Sequence, residues 1–299
     1  MSAPEIFNRK LRRLRRDRAA PGFPAHAFVV DHIIESLLDR LDLVSRRFDR
    51  ALDLGCHDGR LTKALRGRGI EVVSADAGYR FAKMAGGIQC DEDRLPFADA
   101  SFDLVISAGV FDQVNDLPGA LTLIGRILKP DGLLLAGFTG AGSLPMTRSA
   151  VMAADIVHGG AVAPRIHPQI DVRAAGDLLS RAGFVLTVAD GETLSVRYSN
   201  PFRILSDLRG MAATNLIDAQ PARHFNRQDL ATIAESLASQ AERDGAVTER
   251  FELVFMTGWS PGPNQPQPAR RGSGGKSLAD ALKPAPFSDR VDITRPDKP

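Results

Sequence analysis

The stretch Ala51-Leu52-Asp53-Leu54-Gly55-Cys56-His57-Asp58-Gly59-Arg60-Leu61 constrains this chain more than any other. A short apolar run carrying an acid leads into a loop with glycines at 55 and 59. A helix-forming run, Leu61-Thr62-Lys63-Ala64-Leu65, follows. Glycine lets the backbone turn sharply and lets a ligand approach where a Cβ would stand in the way. The helix N-terminus adds unpaired N–H groups and a positive dipole end. A strand–loop–helix unit of this kind binds a nucleotide, and the spacing narrows which one. Neither the dinucleotide pattern G-x-G-x-x-G nor the P-loop pattern G-x-x-x-x-G-K-[ST] is present in this loop. Pyrophosphate and triphosphate are therefore poor ligands for it.

Further landmarks follow in order. Ile70-Glu71-Val72-Val73-Ser74-Ala75-Asp76 reads as a second strand ending in an acid about twenty residues on, where doubly wound folds hydrogen-bond a ribose. Strands are expected at about 50–54, 70–75, 87–90, 102–107 and 132–138, then from Phe184 to Ala189 and from Phe251 to Trp259. Apolar spacing predicts helices across Phe28 to Leu41, Leu117 to Leu128 and Asp171 to Ala182, the last ended by Gly183. Such alternation implies an α/β fold with a doubly wound, mostly parallel sheet and its ligand at the strands' carboxyl ends.

The pattern D-x-G-x-x-x-G resembles motif I of the class I S-adenosylmethionine methyltransferases, with His57 in place of the middle glycine. Cys90-Asp91-Glu92-Asp93-Arg94-Leu95-Pro96-Phe97 and Ser101-Phe102-Asp103-Leu104-Val105-Ile106-Ser107 resemble the same family's acid-LPF-SFD run. Val114-Asn115-Asp116-Leu117-Pro118, Leu128-Lys129-Pro130-Asp131-Gly132, Arg181-Ala182-Gly183-Phe184 and Asp207-Leu208-Arg209-Gly210-Met211 narrow the likeness. So do Met256-Thr257-Gly258-Trp259 and the tail residues 268–273. With these, nearly the whole chain is similar to the methyltransferase-fold family that assists assembly of respiratory complex I. Malonyl-acyl-carrier-protein O-methyltransferase is a broader cousin. The resemblance implies S-adenosyl-L-methionine as cofactor and an antiparallel last strand. It also implies a cofactor site at Asp53, Gly55, Cys56, His57, Gly59, Asp76, Asp91, Glu92 and Ser107, with Asp91 near the adenine amino group. Mitochondrial members are associated with hydroxylation of an arginine on a complex I subunit. Methyl transfer, arginine hydroxylation and a non-catalytic assembly role all stay open.

On the substrate side the chain departs from its relatives at Phe111-Asp112-Gln113-Val114, at 140–148 and at Pro164-Arg165-Ile166-His167-Pro168. Asp112 and His167 are the catalytic candidates there, His167 as a base and Asp112 as a substrate contact after the fourth strand. Arg148 and Arg165 are candidates for holding an acidic substrate group. No metal constellation is visible; the two cysteines, Cys56 and Cys90, match no zinc spacing and suit a reducing compartment.

At 299 residues and 43% hydrophobic composition, one large domain with a tail is expected. The division runs as a basic segment over 1–25, a methyltransferase-like domain over 26–260 with insertions at 139–170 and 191–247, and a disordered Pro/Gly/Arg-rich tail over 261–299. A net charge of +2 gives no field suited to DNA, and no apolar run spans a bilayer. Arg9-Lys10-Leu11-Arg12-Arg13-Leu14-Arg15-Arg16 reads as a solvated helical face or a peripheral contact for an acidic partner. Substrates in view are a small molecule, an acyl carrier or a protein such as a complex I subunit. The expected compartment is a bacterial cytoplasm, or the mitochondrial matrix for a eukaryotic source.

Overall fold

The computed structural model describes residues 5–159, 164–218 and 224–263, with Gln265 and Ser277. The disordered-tail reading and the match at 268–273 otherwise fall outside the described residues. The sequence between Arg50 and Thr139 forms five strands: β1 (Arg50–Leu54), β2 (Glu71–Asp76), β3 (Ile88–Gln89), β4 (Phe102–Ala108) and β5 (Leu128–Thr139). Two longer strands follow, β6 (Val185–Tyr198) and β7 (Val247–Trp259). They join in the order β3-β2-β1-β4-β5-β7-β6. Neighbours from β3 to β5 pair in parallel, while β7 runs antiparallel to both β5 and β6. This is the doubly wound, mostly parallel sheet that the strand–helix alternation implies, with the antiparallel last strand that the family resemblance adds.

The central strands are buried on both faces, as β4 shows along its whole length. On one face lies α2 (Phe28–Asp42), which buries Val29, Ile33, Ile34, Leu37 and Leu41 at helical spacing. With it pack α3 (Arg60–Gly67) and α4 (Tyr79–Met84) through Leu61, Leu65 and Phe81. The other face is covered by α5 (Leu117–Ile127), which buries Leu121 and Ile124, and by α7 (Val172–Arg181), which buries Leu179. Each such side chain taken fully out of water contributes about 1.5–3 kcal/mol. Gly183 has φ +87°, the left-handed stop that the sequence places after α7.

β6 is longer than the strand expected from Phe184 to Ala189. Its extra length pairs Glu192 through Tyr198 with Val247 through Leu253. The physical cause is the alternation of Leu194, Val196 and Tyr198 with Thr193, Ser195 and Arg197. β3, by contrast, is only two residues long.

The two insertions meet each other. α6 (Pro145–Gly159) lies in the first, and α8 (Arg203–Gly210) and α9 (Arg227–Ser239) in the second. Ala150, Val151 and Ala154 of α6 pack on Ile233 and Leu237 of α9 as a small separate core. A carboxylate from the sheet fixes α6. Fully buried Glu249 of β7 accepts from the N–H of Met146 at 3.3 Å and of Thr147 at 2.8 Å, and from the Thr147 hydroxyl at 2.7 Å.

Before the sheet stands α1 (Arg9–Ala19), begun by Asn8, whose side chain accepts from the N–H of Leu11. Among the described residues no helix is long and apolar enough to cross a membrane.

Candidate functional site

The loop between β1 and α3 takes its shape from three left-handed residues: Gly55 (φ +82°), His57 (φ +47°) and Gly59 (φ +83°). Glycine is required at 55 for a second reason, since a Cβ there would lie 2.5 Å from Val110. Cys56 is buried behind the loop, where burial pushes its thiol well above the ordinary range. His57 is 3% exposed and stacks on Phe23 at a centroid distance of 4.8 Å, with the edge of Phe81 at 5.4 Å. Burial, helped by Arg16, pulls its imidazole down to about 3, so it is neutral. At the end of β4, Ser107 donates to the carbonyl of Leu54 at 2.7 Å and ties β4 to β1.

The acids lie at the strand ends that the sequence indicates, but their partners are unexpected. Asp53 accepts from the Thr62 hydroxyl at 2.6 Å through Oδ2, while its buried Oδ1 has no hydrogen-bond partner. Burial pushes its carboxyl up to about 7. Asp76 accepts from Arg16 Nε at 2.8 Å and Nη2 at 2.6 Å, and from the N–H groups of His57 at 3.1 Å and Gly78 at 2.7 Å. Four donors saturate a carboxylate. Burial works to raise the Asp76 carboxyl, and Arg16 outweighs it, holding the group below the ordinary carboxylate value. Glu92 forms a two-pronged pair with Arg12 at 2.6 and 2.8 Å. Arg13 reaches Asp91 at 2.6 Å, and Arg9 bridges Asp91 at 3.4 Å and Asp93 at 2.6 Å.

The basic N-terminal helix is thus not simply a solvated face. Arginines at 9, 12, 13 and 16 follow the i, i+3, i+4, i+7 stripe of a core-facing helix, and Arg12 and Arg16 are 4% and 1% exposed. Sequence reasoning missed them because a charge run reads as surface. The available signal was an arginine stripe of helical period together with the acid run 91–93.

Two of the sequence landmarks fasten this segment. Asn115 accepts from the N–H of Phe7 at 2.7 Å and donates to its carbonyl at 2.9 Å. Asp207 pairs with His26 at 2.7 Å, and a Cβ at Gly210 would collide with the His26 ring.

Asp112 and His167 are brought together elsewhere, in a cavity of about 440 Å³ that none of the cofactor candidates lines. It opens beyond the carboxyl ends of β4 and β5, between α2, the two insertions and β7. Val29, Leu144, Val151, Leu208, Ile233 and Phe251 give it an apolar wall. Asp112, Thr147, Arg165, His167, Gln169 and Asn215 supply polar groups. Burial pushes the Asp112 carboxyl up to about 6, against the opposing charges of Arg12 and Arg16. His167 accepts the Leu216 N–H on Nε2 at 2.9 Å and packs on Phe7 at 4.9 Å. Burial pulls it down to about 4. Arg165 pairs with Asp155 at 2.7 Å and lies over the Phe225 ring, and Arg148 donates to Gln169 at 2.8 Å.

Sheet order, glycine loop and strand-end acids define a class I methyltransferase fold, whose cofactor is S-adenosyl-L-methionine. A methyltransferase domain model matches residues 52–136. Among solved structures, the YcgJ protein of Bacillus subtilis shares the fold at TM-score 0.54 and 16% identity, covering 76% of this chain and 98% of its own. The chain belongs to the methyltransferase-fold family that includes the mitochondrial arginine hydroxylase NDUFAF5 and malonyl-acyl-carrier-protein O-methyltransferase. It is 32% identical to human NDUFAF5 over 93% of this chain and 84% of that protein. The zebrafish protein is 31% identical over 93% and 90%, and the Methylovorus O-methyltransferase 31% over 93% and 95%.

The residues fit this cofactor in kind: the orphaned, buried Asp53 Oδ1 is an acceptor that an ammonium group satisfies. The arrangement around Asp76 does not fit, because Arg16 of α1 and the N–H groups of His57 and Gly78 already fill that carboxylate's four acceptor positions.

Proposed function

We propose that this chain transfers a methyl group from S-adenosylmethionine and acts in the assembly of respiratory complex I. The observation that carries the reading is the position of the cavity. It lies at the carboxyl ends of the sheet's central strands, with Asp112 from beyond β4 and Thr139 from β5 in its wall, where doubly wound sheets bind ligands. When bound, the cofactor supplies a methyl group already activated by its sulfonium.

The chain's own part is to orient an acceptor, exclude water and move a proton. Asp112, titrating at about 6, is suited to take the proton of a hydroxyl or amine acceptor near neutral pH. A carboxylate acceptor would need no base. His167 would have to release the Leu216 N–H to act as one, so we assign it to holding the wall. The apolar lining from Val29 to Phe251 keeps water out. Arg165, fixed by Asp155, offers charge to an acidic substrate group on a small molecule, acyl carrier or protein.

The relatives named as arginine hydroxylases favour a second reading, in which the acceptor is a protein arginine and the product gains oxygen. That reaction draws an oxidant and electrons from outside the chain. A third, non-catalytic assembly role draws support from the saturation of Asp76.

Mass spectrometry separates the three. The protein is incubated, with dioxygen and a reductant present, with S-adenosylmethionine carrying a labelled methyl, with malonyl-acyl carrier protein, and with complex I subunits from a strain lacking this gene. Label on an acceptor supports methyl transfer; its loss in Asp112→Asn is expected for a hydroxyl or amine acceptor and not for the malonyl carboxylate. An unlabelled gain of one oxygen on an arginine supports hydroxylation. No change in any acceptor, with complex I assembly still dependent on the protein, leaves the non-catalytic role.

A further inference from the structure

α1 sits on Asp76, Asp91 and Glu92, the acids expected to meet the cofactor's nucleoside, and it sits there on a built surface. Gly78, at φ −81°, has no conformational need for glycine, yet a Cβ there would lie 2.8 Å from Cβ of Arg16. Its missing side chain is what lets α1 lie directly against the end of β2. Asp17 of α1 accepts from the N–H of Arg80 at 2.8 Å, in the first turn of α4. Arg12 closes over Glu92, and Arg9 and Arg13 over Asp91 and Asp93. Phe23, in the turn after α1, covers the ring of His57 in the glycine loop. The helix is thus complementary to the strand-end acids in shape and in charge.

We propose that α1 is a cis-acting occupant of the nucleotide site, and that Arg16 takes on Asp76 the hydrogen bonds that the ribose hydroxyls of S-adenosylmethionine would otherwise make. Docking of α1 and binding of the cofactor then exclude each other. The competition is intramolecular, and fastening at Phe7 and His26 keeps the local concentration of α1 high. Cofactor reaches Asp76 only when α1 lifts between those two points, which links the state of the N-terminal segment to loading of the site. The inference rests on S-adenosylmethionine being this site's ligand, as proposed above.

The test pairs calorimetric titration with hydrogen exchange on the full chain, using S-adenosylmethionine as the probe. In the wild-type protein, saturating S-adenosylmethionine should lower the exchange protection of residues 9–19. Arg16→Gln weakens docking while leaving every acid in place, and should tighten the dissociation constant at least tenfold. Gly78→Ala should do the same, since its Cβ would press on Cβ of Arg16 at 2.8 Å and only brush Asp76 Oδ1 at 3.3 Å, which keeps the test open if Arg16→Gln fails to fold. Equal affinity in wild type and variants, or α1 protection that rises or stays level on binding, overturns the inference and leaves methyl transfer standing. Absence of binding in variants whose α1 is shown by exchange to be loose overturns both.

Discussion

Arg16 and Arg12 each hold a buried carboxylate, and the energetics of such pairs are asymmetric. Removing one partner strands the other charge away from water, which costs about 3–5 kcal/mol, whereas replacing both by apolar groups of similar volume is close to neutral. Arg12→Ala should therefore lower the urea-unfolding free energy by about 3–5 kcal/mol, and Arg12→Met combined with Glu92→Leu should recover most of the loss. Equal destabilisation by the single and double variants would contradict the pairing. Gly55 makes a second residue-scale claim. A methyl at φ +82° facing Val110 combines backbone strain with overpacking, so Gly55→Ala should cost about 2 kcal/mol or more. Adding Val110→Ala should relieve the steric part and leave the strain. At this scale the sequence was informative about position and silent about partners. Asp53, Asp76 and Asp91 stand at the strand ends read from the motif spacing. That an arginine sixty residues earlier takes two of the four hydrogen bonds on Asp76 depends on tertiary packing, which local spacing does not encode.

At the scale of elements, the strands and helices around the glycine loop were legible because their periods are clean, as in Val29, Ile33, Leu37 and Leu41 of α2. The far half of β6 was missed: residues 191–198 read as part of an insertion, although Leu194, Val196 and Tyr198 alternate with polar residues as a strand does. The helix of α1 was legible but its burial was not, because its core-facing stripe is made of arginine and its acids lie at strand ends far along the chain. α6 shows the same dependence on a distant chain segment: its first N–H groups are satisfied by Glu249, about a hundred residues away. Glu249→Ala should lower the thermal-unfolding stability by about 2 kcal/mol and raise amide exchange at the start of α6. Unchanged exchange there would show that the packing of α6 on α9 suffices.

Across the whole molecule, buried titratable groups set an unusual pH response. His57 and His167, neutral with values of about 3 and 4, contribute stability that is present above the unfolded histidine value near 6.5 and lost as pH falls. Asp53 and Asp112, raised to about 7 and 6, work in the opposite sense: their contribution is present below the unfolded value near 4 and lost as pH rises. Between about pH 4.5 and 6 the two slopes oppose each other, and unfolding free energy should be nearly flat. Asp53→Asn removes one opposing group, so its stability should fall on acidification by about 1.4 kcal/mol per pH unit across that window. A steep wild-type profile, or an unchanged slope in the variant, would contradict these assignments.

The loop from Gly55 to Gly59 and the acid Asp76 are proposed to form a nucleoside site that α1 shares. A crystal structure of the full chain at saturating S-adenosylhomocysteine tests it most directly. The expected result is the nucleoside over that loop, its ribose on Asp76, and Arg16 withdrawn from the carboxylate. An Asp76 still held by Arg16, with the ligand elsewhere, would contradict it.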